Sequence, residues 1–352
     1  MILITGGAGF IGSNFIRNFL KNNLDTKLVN IDKLTYAGNL NSLESVQNNN
    51  NYEFICSSIG DHKKVFSILK ENKISKIINF AAESHVDRSI HGPKDFIDTN
   101  IVDTFYLLQA SLDYFNTLDK NNKKDFRFLH ISTDEVYGSL KPNEPAFTEK
   151  NQYKPNSPYA ASKAASDHLV RSWHKTYDLP VLTTNCSNNY GPYQFPEKLI
   201  PLVIMKALGN ENIPIYGDGM QIRDWLYVED HCEAIECVLK KGKVGETYNI
   251  GGNNEIANID IVNEICQILD KKIPKKNGSS YKEQIVFIKD RPGHDRRYAI
   301  DPSKIVFDIG WKPKENFHTG LSKTIDWYLS NSKWLEMISD GSYINWLKKN
   351  YE

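Results

Sequence analysis

The sequence predicts an α/β fold, in which helices cover both faces of a doubly wound, mostly parallel sheet and a smaller α/β lobe follows. Two observations predict it. Short apolar runs alternate with amphipathic helical patterns through the first half of the chain, whereas prolines and glycines interrupt the second half. The 352 residues suffice for about two domains, which agrees with a sheet domain and a second lobe.

The strands are predicted from short apolar runs, because a strand of a covered parallel sheet is apolar on both faces. These runs lie at 2–5, 27–31, 52–56, 76–80, 126–131 and 181–185. Between them, apolar residues recur at the spacing of a helix. One stripe consists of Phe15, Ile16, Phe19 and Leu20, and another, on a long helix that begins near Pro93, consists of Val102, Phe105, Leu108 and Leu112. A further helix is predicted at about 157–177.

The later elements predict a discontinuous division of the chain. A helix near 228–240 and a strand near 247–250 are expected to return to the sheet, whereas the segments around them are rich in loop-forming residues. The first domain therefore comprises 1–187 plus about 225–250. The second lobe comprises about 188–224 plus 251–352.

The balanced charge argues against two classes of partner. The chain has 43 basic and 43 acidic residues, so it has no basic excess with which to bind nucleic acid or an anionic membrane surface. No apolar run approaches the roughly 20 residues of a membrane-spanning helix, and the N-terminus does not resemble a signal peptide. We therefore expect no nucleic-acid partner, no membrane association and a cytoplasmic location.

The cysteines and histidines do not predict a metal site. The five cysteines are odd in number and widely spaced, and are expected to be buried thiols in a reducing compartment. His85, His91 and His130 lack the spacing of metal ligands. We expect His130 to lie in the core and the other two to lie on the surface or at a pocket edge.

A glycine-rich turn follows the first predicted strand directly and opens the first helix. Its residues are Thr5-Gly6-Gly7-Ala8-Gly9-Phe10-Ile11-Gly12. Glycines allow a tight turn and the close approach of a pyrophosphate, and the helix N-terminus favours negative charge. Asp32 follows the next strand, 20 residues after Gly12, where a carboxylate accepts hydrogen bonds from a ribose 2′-hydroxyl. The pattern predicts a Rossmann-like site for NAD in preference to NADP.

A candidate acid–base pair lies at the start of the helix at 157–177. Tyr159 and Lys163 are four residues apart, so they share one face of that helix. A nearby cation stabilises a phenolate, so we expect Lys163 to lower the pKa of Tyr159. Tyr159 is then a candidate base for a sugar or alcohol hydroxyl.

Two adjacent carboxyl groups lie at the predicted end of the strand at 126–131. Ser132 and Thr133 precede Asp134 and Glu135 there, and ligands of open α/β sheets bind at the carboxyl ends of strands. Adjacent carboxyl groups take different roles when their surroundings separate their pKa values. On the residues alone, a solvated acidic turn is the favoured interpretation of an Asp-Glu pair.

The chain resembles the extended short-chain dehydrogenase/reductase superfamily and, within it, the dTDP-glucose 4,6-dehydratase family. The motifs that carry the resemblance span Thr5 to Tyr298. They are T-G-G-A-G-F-I-G, N-F-A-A-E-S-H-V-D-R-S-I, H-I-S-T-D-E-V-Y-G, Y-A-A-S-K, N-C-S-N-N-Y-G-P-Y-Q-F-P-E-K-L-I-P, I-Y-G-D-G-M-Q-I-R-D-W and D-R-P-G-H-D-R-R-Y. The Asp134-Glu135 pair discriminates, because related epimerases usually carry small hydroxyl residues at these positions.

The resemblance implies an NAD-dependent hydro-lyase that oxidises C4 of dTDP-glucose, eliminates water across C5 and C6, and returns hydride to C6. It implies that Tyr159 with Lys163 acts at O4, that Glu135 removes the C5 proton and that Asp134 protonates the leaving hydroxyl. Thr133 would hydrogen-bond the C4 oxygen. The product would be a 4-keto-6-deoxy sugar for deoxysugar biosynthesis. NAD would remain tightly bound and be regenerated in each turnover.

The resemblance also implies sets of binding residues. With the glycine turn, the implied cofactor-binding residues are Gly6, Gly9, Phe10, Ile11, Gly12, Asp32, Lys33, Thr35, Ser58, Ile59, Ala81, Ala82, Thr99, Tyr159, Lys163 and Asn189. The implied substrate-binding residues are Ser84, Thr133, Asn188, Glu197, Lys198, Leu199, Pro214, Tyr216, Arg223, Asn258, Arg291, His294 and Arg297. Ser58 departs from the family pattern, in which an aspartate usually meets the adenine amino group.

Arginines favour a diphosphate-binding site in the second lobe, because a guanidinium group presents a fork of donors to phosphate. Four of the eight arginines, Arg223, Arg291, Arg296 and Arg297, lie there or in its closing loop. Arg223 is the strongest candidate, since Arg296 or Arg297 can pair instead with Asp295 or Asp290.

Two alternatives stay open at the level of sequence. The first is a nucleotide-sugar 4-epimerase, decarboxylase or other dehydratase of the same superfamily, and the second is a non-catalytic dinucleotide sensor. The resemblance also implies a homodimer, formed by two long helices near 93–114 and 157–177. The nucleotide base is preferred only by resemblance.

Overall fold

A seven-stranded parallel sheet forms the centre of the computed structural model, which describes residues 1–338. Its strand order is β10-β6-β5-β4-β1-β2-β3, so the order reverses between β1 and β4 as in a doubly wound sheet. The strands are β1 (Ile2–Thr5), β2 (Leu28–Asp32), β3 (Tyr52–Cys56), β4 (Lys76–Asn79), β5 (Arg127–Thr133), β6 (Val181–Cys186), β7 (Asn188–Tyr190), β8 (Ile213–Tyr216), β9 (Ile222–Tyr227), β10 (Thr247–Ile250), β11 (Glu255–Ala257) and β12 (Ile285–Ile288). The predicted α/β class is confirmed.

Helices cover both faces of this sheet. The helices of residues 1–338 are α1 (Phe10–Asn22), α2 (His62–Glu71), α3 (Val86–His91), α4 (Pro93–Phe96), α5 (Thr104–Thr117), α6 (Lys120–Asp125), α7 (Pro158–Tyr177), α8 (Leu199–Leu208), α9 (Val228–Lys241), α10 (Asn258–Lys272), α11 (Ser303–Ile309), α12 (Phe317–Ser330) and α13 (Ser332–Ile338); of these, α8, α10, α12 and α13 pack in the second lobe and not on the sheet. A π-helical segment, Ile97–Asp103, joins α4 to α5. These three pieces form the long helix that the sequence predicts from Pro93.

Most predicted strands are apolar because they are buried on both faces. Strands β1, β2 and β6 are buried throughout. Full burial is wrong for β3, whose residues are partly or fully exposed because it forms the edge of the sheet. Strand β5 runs to Thr133, two residues further than predicted, and a 3₁₀ turn at Asp134–Tyr137 follows it.

The helical stripes are buried to different extents. The stripe of α1 is buried against the sheet, as predicted. On the long helix, Leu108 and Leu112 are buried, but Val102 is 40% and Phe105 37% exposed. The buried side of this helix faces the sheet. The predicted stripe therefore combines residues of the buried side with residues of the exposed side of the helix.

The second lobe contains two small sheets and its own apolar core. Strands β7, β9 and β11 form one sheet, and β8 pairs with β12 in the other. Helix α9 and strand β10 return to the main sheet, where β10 pairs with β6 in parallel, as predicted. The predicted division into domains stays a prediction; its boundary near 224 falls inside β9, and residues 339–352 lie outside the described part.

The thiols are free but not uniformly buried. The five cysteines form no disulfide. Cys186, Cys232 and Cys266 are buried, whereas Cys56 is exposed at the edge strand and Cys237 is half-buried, so the prediction of five buried thiols is wrong for these two. Within residues 1–338 no helix is long and apolar enough to cross a membrane, and no group of acidic, histidine and cysteine side chains suits a metal ion.

Candidate active site

One cavity at the carboxyl ends of the central strands brings the two predicted groups of site residues together. The glycine turn forms one part of its wall, and the ends of β5 and α7 form another. All predicted cofactor residues except Ser58 line it: Gly6, Gly9, Phe10, Ile11, Gly12, Asp32, Lys33, Thr35, Ile59, Ala81, Ala82, Thr99, Tyr159, Lys163 and Asn189. The catalytic candidates Thr133, Asp134 and Glu135 line it too.

The glycine turn suits a pyrophosphate. Gly6 has a φ of +67°, and a Cβ there would lie 2.6 Å from the backbone of Ala81. Helix α1 begins just after Gly9, which is its N-cap. Because glycine has no side chain, no N-cap side chain binds the first backbone N–H groups of the helix. These N–H groups and the helix dipole are therefore directed to an anion in the cavity.

Asp32 suits the two hydroxyl groups of a ribose. Its carboxylate accepts hydrogen bonds from the backbone N–H of Ala8 at 2.9 Å and of Leu34 at 2.8 Å. Burial raises the pKa of Asp32, and these two bonds oppose that rise. A carboxylate has about four acceptor sites, so two are left for a ligand. The neighbouring Lys33 donates instead to the hydroxyl of Thr99, at 2.7 Å.

The predicted effect of Lys163 on Tyr159 is wrong in this structure. Tyr159 is only 8% exposed, and burial, followed by the charge of Glu135, raises its pKa well above the ordinary value. The Lys163 ammonium donates to the carbonyl oxygen of Ile131 at 2.8 Å. The hydroxyl of Thr133 hydrogen-bonds the Tyr159 phenol, so these two groups face one point in the cavity.

Asp134 and Glu135 have different surroundings. Asp134 is 2% exposed, and burial, then the charges of Glu135 and Asp224, raise its pKa well above the ordinary value. Its Oδ2 has no hydrogen-bond partner among residues 1–338, so a protonated Asp134 has a free donor. Burial also raises the pKa of Glu135, but three cations oppose that rise: Arg291, Lys198 and Arg223. The pair therefore suits an acid beside a base.

A second group of predicted substrate residues lies beyond Glu135. The guanidinium of Arg223 stacks on the Tyr298 ring at 4.3 Å and donates to the carbonyl oxygens of Ile222 and Asp295. Arg291 donates to Asp87 at 2.6 Å, and Tyr216 donates to the other oxygen of the same carboxylate at 3.2 Å. These contacts hold both guanidinium groups near Glu135.

The predicted substrate residues thus divide into two sets. Ser84, Thr133, Asn188, Glu197 and Lys198 line the cavity, whereas Leu199, Pro214, Tyr216, Arg223, Asn258, Arg291, His294 and Arg297 are not part of its wall. Arg297 binds Glu255 and two backbone carbonyl groups, and Arg296 binds Asp218. Both arginines thus pair with acidic residues, although with Asp218 and Glu255 and not with the Asp295 or Asp290 that the sequence suggested for one of them.

A buried cluster around Glu197 was not predicted. The Tyr36 hydroxyl donates to Glu197 at 3.1 Å, and the Arg88 guanidinium covers the Tyr36 ring at 3.3 Å. His85 is buried beside Glu197, which lines the cavity, so of its two expected places the surface is wrong, whereas His91 is exposed and His130 buried, as expected. The sequence signal for this cluster is weak because its members lie far apart in the chain.

Glu197 should make stability depend on pH. Burial raises its pKa from 4.5 to about 7, against the opposing charges of Lys198 and Arg88. Between these values the folded state holds a proton that the unfolded state has released, so rising pH destabilises the wild type, by at most about 3 kcal/mol. Glu197→Gln is neutral at every pH and should gain thermal stability over the wild type as pH rises from 4.5 to 7. Unfolding midpoints measured from pH 4 to 8 check this; a constant difference, equal to that of the exposed control Glu53→Gln, would contradict it.

Comparison with known proteins agrees with this geometry. The profile of the GDP-mannose 4,6 dehydratase family matches residues 3–324. The dTDP-glucose 4,6-dehydratase of Salmonella typhimurium is 56% identical over 359 aligned positions, which cover 100% of this chain and 99% of that protein.

Solved structures of similar proteins have the same fold. The dTDP-glucose 4,6-dehydratase of Bacillus anthracis, in complex with NAD, is 44% identical with a TM-score of 0.84, over 96% of this chain and 99% of that one. The dTDP-glucose 4,6-dehydratase of Streptomyces venezuelae, also with NAD bound, is 40% identical with a TM-score of 0.88 over the same shares. The chain described here therefore belongs to the dTDP-glucose 4,6-dehydratase family, within the wider group that the GDP-mannose 4,6 dehydratase profile describes.

Proposed function

We propose that this chain is an NAD-dependent hydro-lyase that converts dTDP-glucose to dTDP-4-keto-6-deoxyglucose. The proposal rests on one observation: the glycine turn lines the same cavity as Tyr159, Asp134 and Glu135. The reaction needs one base at O4 and an acid–base pair near C5 and C6, and these three side chains supply them. The names of the relatives support the same substrate.

NAD fits the residues at the glycine turn. Gly6 lets the turn pack tightly against the backbone of Ala81, the N-terminus of α1 provides donors, and Asp32 retains acceptor sites for the ribose. The carboxylate also disfavours the 2′-phosphate of NADP. When bound, NAD⁺ would accept hydride from C4 and return it to C6, and its oxidised nicotinamide ring would carry a positive charge.

Tyr159 and Thr133 act at the C4 oxygen. Tyr159 takes the proton of the 4-hydroxyl as C4 is oxidised, and Thr133 holds that oxygen in line through a hydrogen bond. A phenol with a raised pKa is a poor base when neutral, so its ionisation must be assisted by positive charge. Lys163 does not provide that charge in this structure, because its ammonium donates to the carbonyl oxygen of Ile131 and does not lower the pKa of Tyr159.

Glu135 and Asp134 then act at C5 and C6. The new C4 ketone acidifies the C5 hydrogen, and Glu135, whose ionised form is favoured by three cations, removes it. Burial raises the pKa of Asp134 and so favours its neutral form, which gives its proton to the departing C6 hydroxyl, and this hydroxyl leaves as water. Glu135 then holds a proton that it can return to C5 when hydride reaches C6.

The second lobe would hold the nucleotide diphosphate. Arg223 and Arg291 are kept in place by Tyr298 and Asp87, so little side-chain freedom is lost when they bind phosphate. Lys198 and Glu197 lie at the junction between this region and the cavity. Tyr216 and His294, whose rings meet edge to face at 6.1 Å, are candidates for contact with the nucleoside.

The direct test is product analysis. The protein is incubated with dTDP-glucose, UDP-glucose, GDP-mannose and UDP-glucuronate in turn, and the products are measured by mass spectrometry. We expect dTDP-glucose to lose the mass of one water with no net consumption of NAD. An epimer of unchanged mass, loss of carbon dioxide, or no reaction with any of the four sugars would contradict the proposal.

We also propose that the chain forms a homodimer through α5 and α7. Phe105, Tyr106 and Tyr177 are exposed on these helices, and aromatic contacts through Trp173 join Phe105 to Tyr177. A contiguous exposed apolar patch of this kind is typical of an interface.

The free cysteines also agree with the reducing, cytoplasmic location expected from the sequence.

Phe105→Lys should therefore dissociate the dimer, because it places a charge in the apolar patch. Gel filtration with light scattering should give about twice 40.3 kDa for the wild type and about 40.3 kDa for the variant. Phe307→Lys, at a 90% exposed phenylalanine of α11, is the control and should remain dimeric. A monomeric wild type, or a Phe105→Lys variant that remains fully dimeric, would contradict the proposed interface.

A further inference from the structure

The end of the cavity beyond Asp32 contains a carboxylate that none of the predicted roles uses. Asp103, the last residue of the π-helical segment, lines this end together with Ser57 and Ile59. Ser58, which the sequence singles out, is not part of the wall. It lies next to Asp103, and its hydroxyl donates to Asp103 Oδ2 at 3.2 Å.

The topology places the adenine of a bound dinucleotide at this end. Asp32 at the end of β2 would hold the adenosine ribose, and the adenine then lies beyond it, over the end of the next strand. That strand is β3, whose Cys56 is the register partner of Asp32. The residues that follow β3 reach Ile59, which packs with Ala81 in one apolar cluster and offers a surface for the flat base.

Asp103 is a better acceptor for the adenine amino group than Ser58. The Ser58 oxygen accepts the N–H of Gly60 at 3.0 Å and commits its only hydrogen to Asp103. The carboxylate of Asp103 has acceptor sites beyond the one that Ser58 uses, and its charge strengthens any bond that it accepts. Gly60 makes room for it, since a Cβ at that position would lie 2.2 Å from Asp103 Oδ1.

We propose that Asp103 is the specificity-determining acceptor for the adenine amino group of NAD, with Ser58 as the residue that positions it. The inference rests on the proposed function, because it requires that the cavity binds NAD. It assigns the recognition of the base to the π-helical segment between α4 and α5 instead of the loop that follows β3.

The test compares NAD with nicotinamide hypoxanthine dinucleotide, in which a carbonyl oxygen replaces the amino group of adenine. The full-length protein is equilibrated with a large, equal excess of both, freed of unbound nucleotide, and the bound fraction is released and quantified by chromatography. The wild type should retain NAD in about ten- to a hundredfold preference, because a carboxylate accepts from an amino group and repels a carbonyl oxygen.

Asp103→Asn should reduce this preference to about threefold or less. Its carboxamide has nearly the same volume, still accepts from Ser58, and can either donate or accept at the base. Asp113→Asn removes a charge from the same long helix, where Asp113 pairs with His62, and should keep the wild-type preference. The double variant Ser58→Asp/Asp103→Ser moves the carboxylate from position 103 to its hydrogen-bond partner at position 58. It should restore most of the preference for NAD.

Two results would overturn the inference while leaving the proposed function intact. One is a wild-type preference that Asp103→Asn does not change, with NAD still bound. The other is a Ser58→Ala variant that loses the preference for NAD to a greater extent than any Asp103 variant does. That result would assign the contact with the adenine amino group to Ser58 itself. A wild type that binds neither dinucleotide would instead contradict the proposed function.

Discussion

Glu135→Gln is expected to stop the reaction after oxidation of C4. The amide cannot remove the C5 proton, so turnover should fall roughly 10²- to 10⁴-fold, the usual contribution of a positioned general base. The oxidation itself uses Tyr159 and Thr133, which this substitution leaves in place. Bound cofactor should therefore accumulate in its reduced form, and the absorbance band of reduced nicotinamide should appear on mixing with dTDP-glucose.

The control for this variant is Glu53→Gln, at an exposed position of β3 that is not part of the cavity wall. It should turn over as the wild type does, with no accumulation of reduced cofactor. Full turnover by Glu135→Gln would show that another group removes the C5 proton. Absence of reduced cofactor would show that Glu135 is needed before the elimination, which contradicts its proposed role.

Tyr159→Phe is expected to stop the reaction one step earlier. Without the phenol oxygen no group is placed to take the 4-hydroxyl proton, so oxidation of C4 should slow roughly 10²- to 10⁴-fold. In contrast to Glu135→Gln, this variant should bind the substrate but show no reduced cofactor. Stopped-flow absorbance and product formation, measured together, distinguish the two.

The pH dependence of the first step should follow the ionisation of Tyr159. Burial and Glu135 raise its pKa, and the base form is the phenolate, so the rate of C4 oxidation should increase as pH rises toward that pKa. Tyr159→Phe should lack this increase. Glu53→Gln, at an exposed position of β3, should behave as the wild type. The same rising profile in Tyr159→Phe would show that a different group titrates.

Local patterns were sufficient to predict much of the fold and the central part of the site. Strands β1, β3 and β10 begin and end where the apolar runs do, and the glycine turn, Asp32 and the Tyr159–Lys163 pair belong to one cavity as expected. These features depend on neighbours within a few residues. Their geometry therefore follows from the period of a helix or from the end of a strand.

Features that depend on contacts between distant residues could not be predicted in this way. Tyr159 and Lys163 lie on one helix, as predicted from their spacing. The ammonium of Lys163 nevertheless donates to Ile131, because β5 passes beneath that helix. Likewise, nothing near Glu197 in the chain indicates that Tyr36 and Arg88 surround it. Asp103 could more nearly have been predicted from the sequence. It lies four residues after the predicted cofactor residue Thr99, in the same helical segment.

The fate of the C4 hydrogen tests the central claim most directly. The protein is given dTDP-glucose that carries deuterium at C4, and the label is located in the product by nuclear magnetic resonance. Because hydride leaves C4 and returns to C6 within one closed site, we predict a 4-keto-6-deoxy sugar with deuterium at C6. Unchanged glucose, a galactose epimer that retains deuterium at C4, or a dehydrated product without deuterium at C6 would contradict this mechanism.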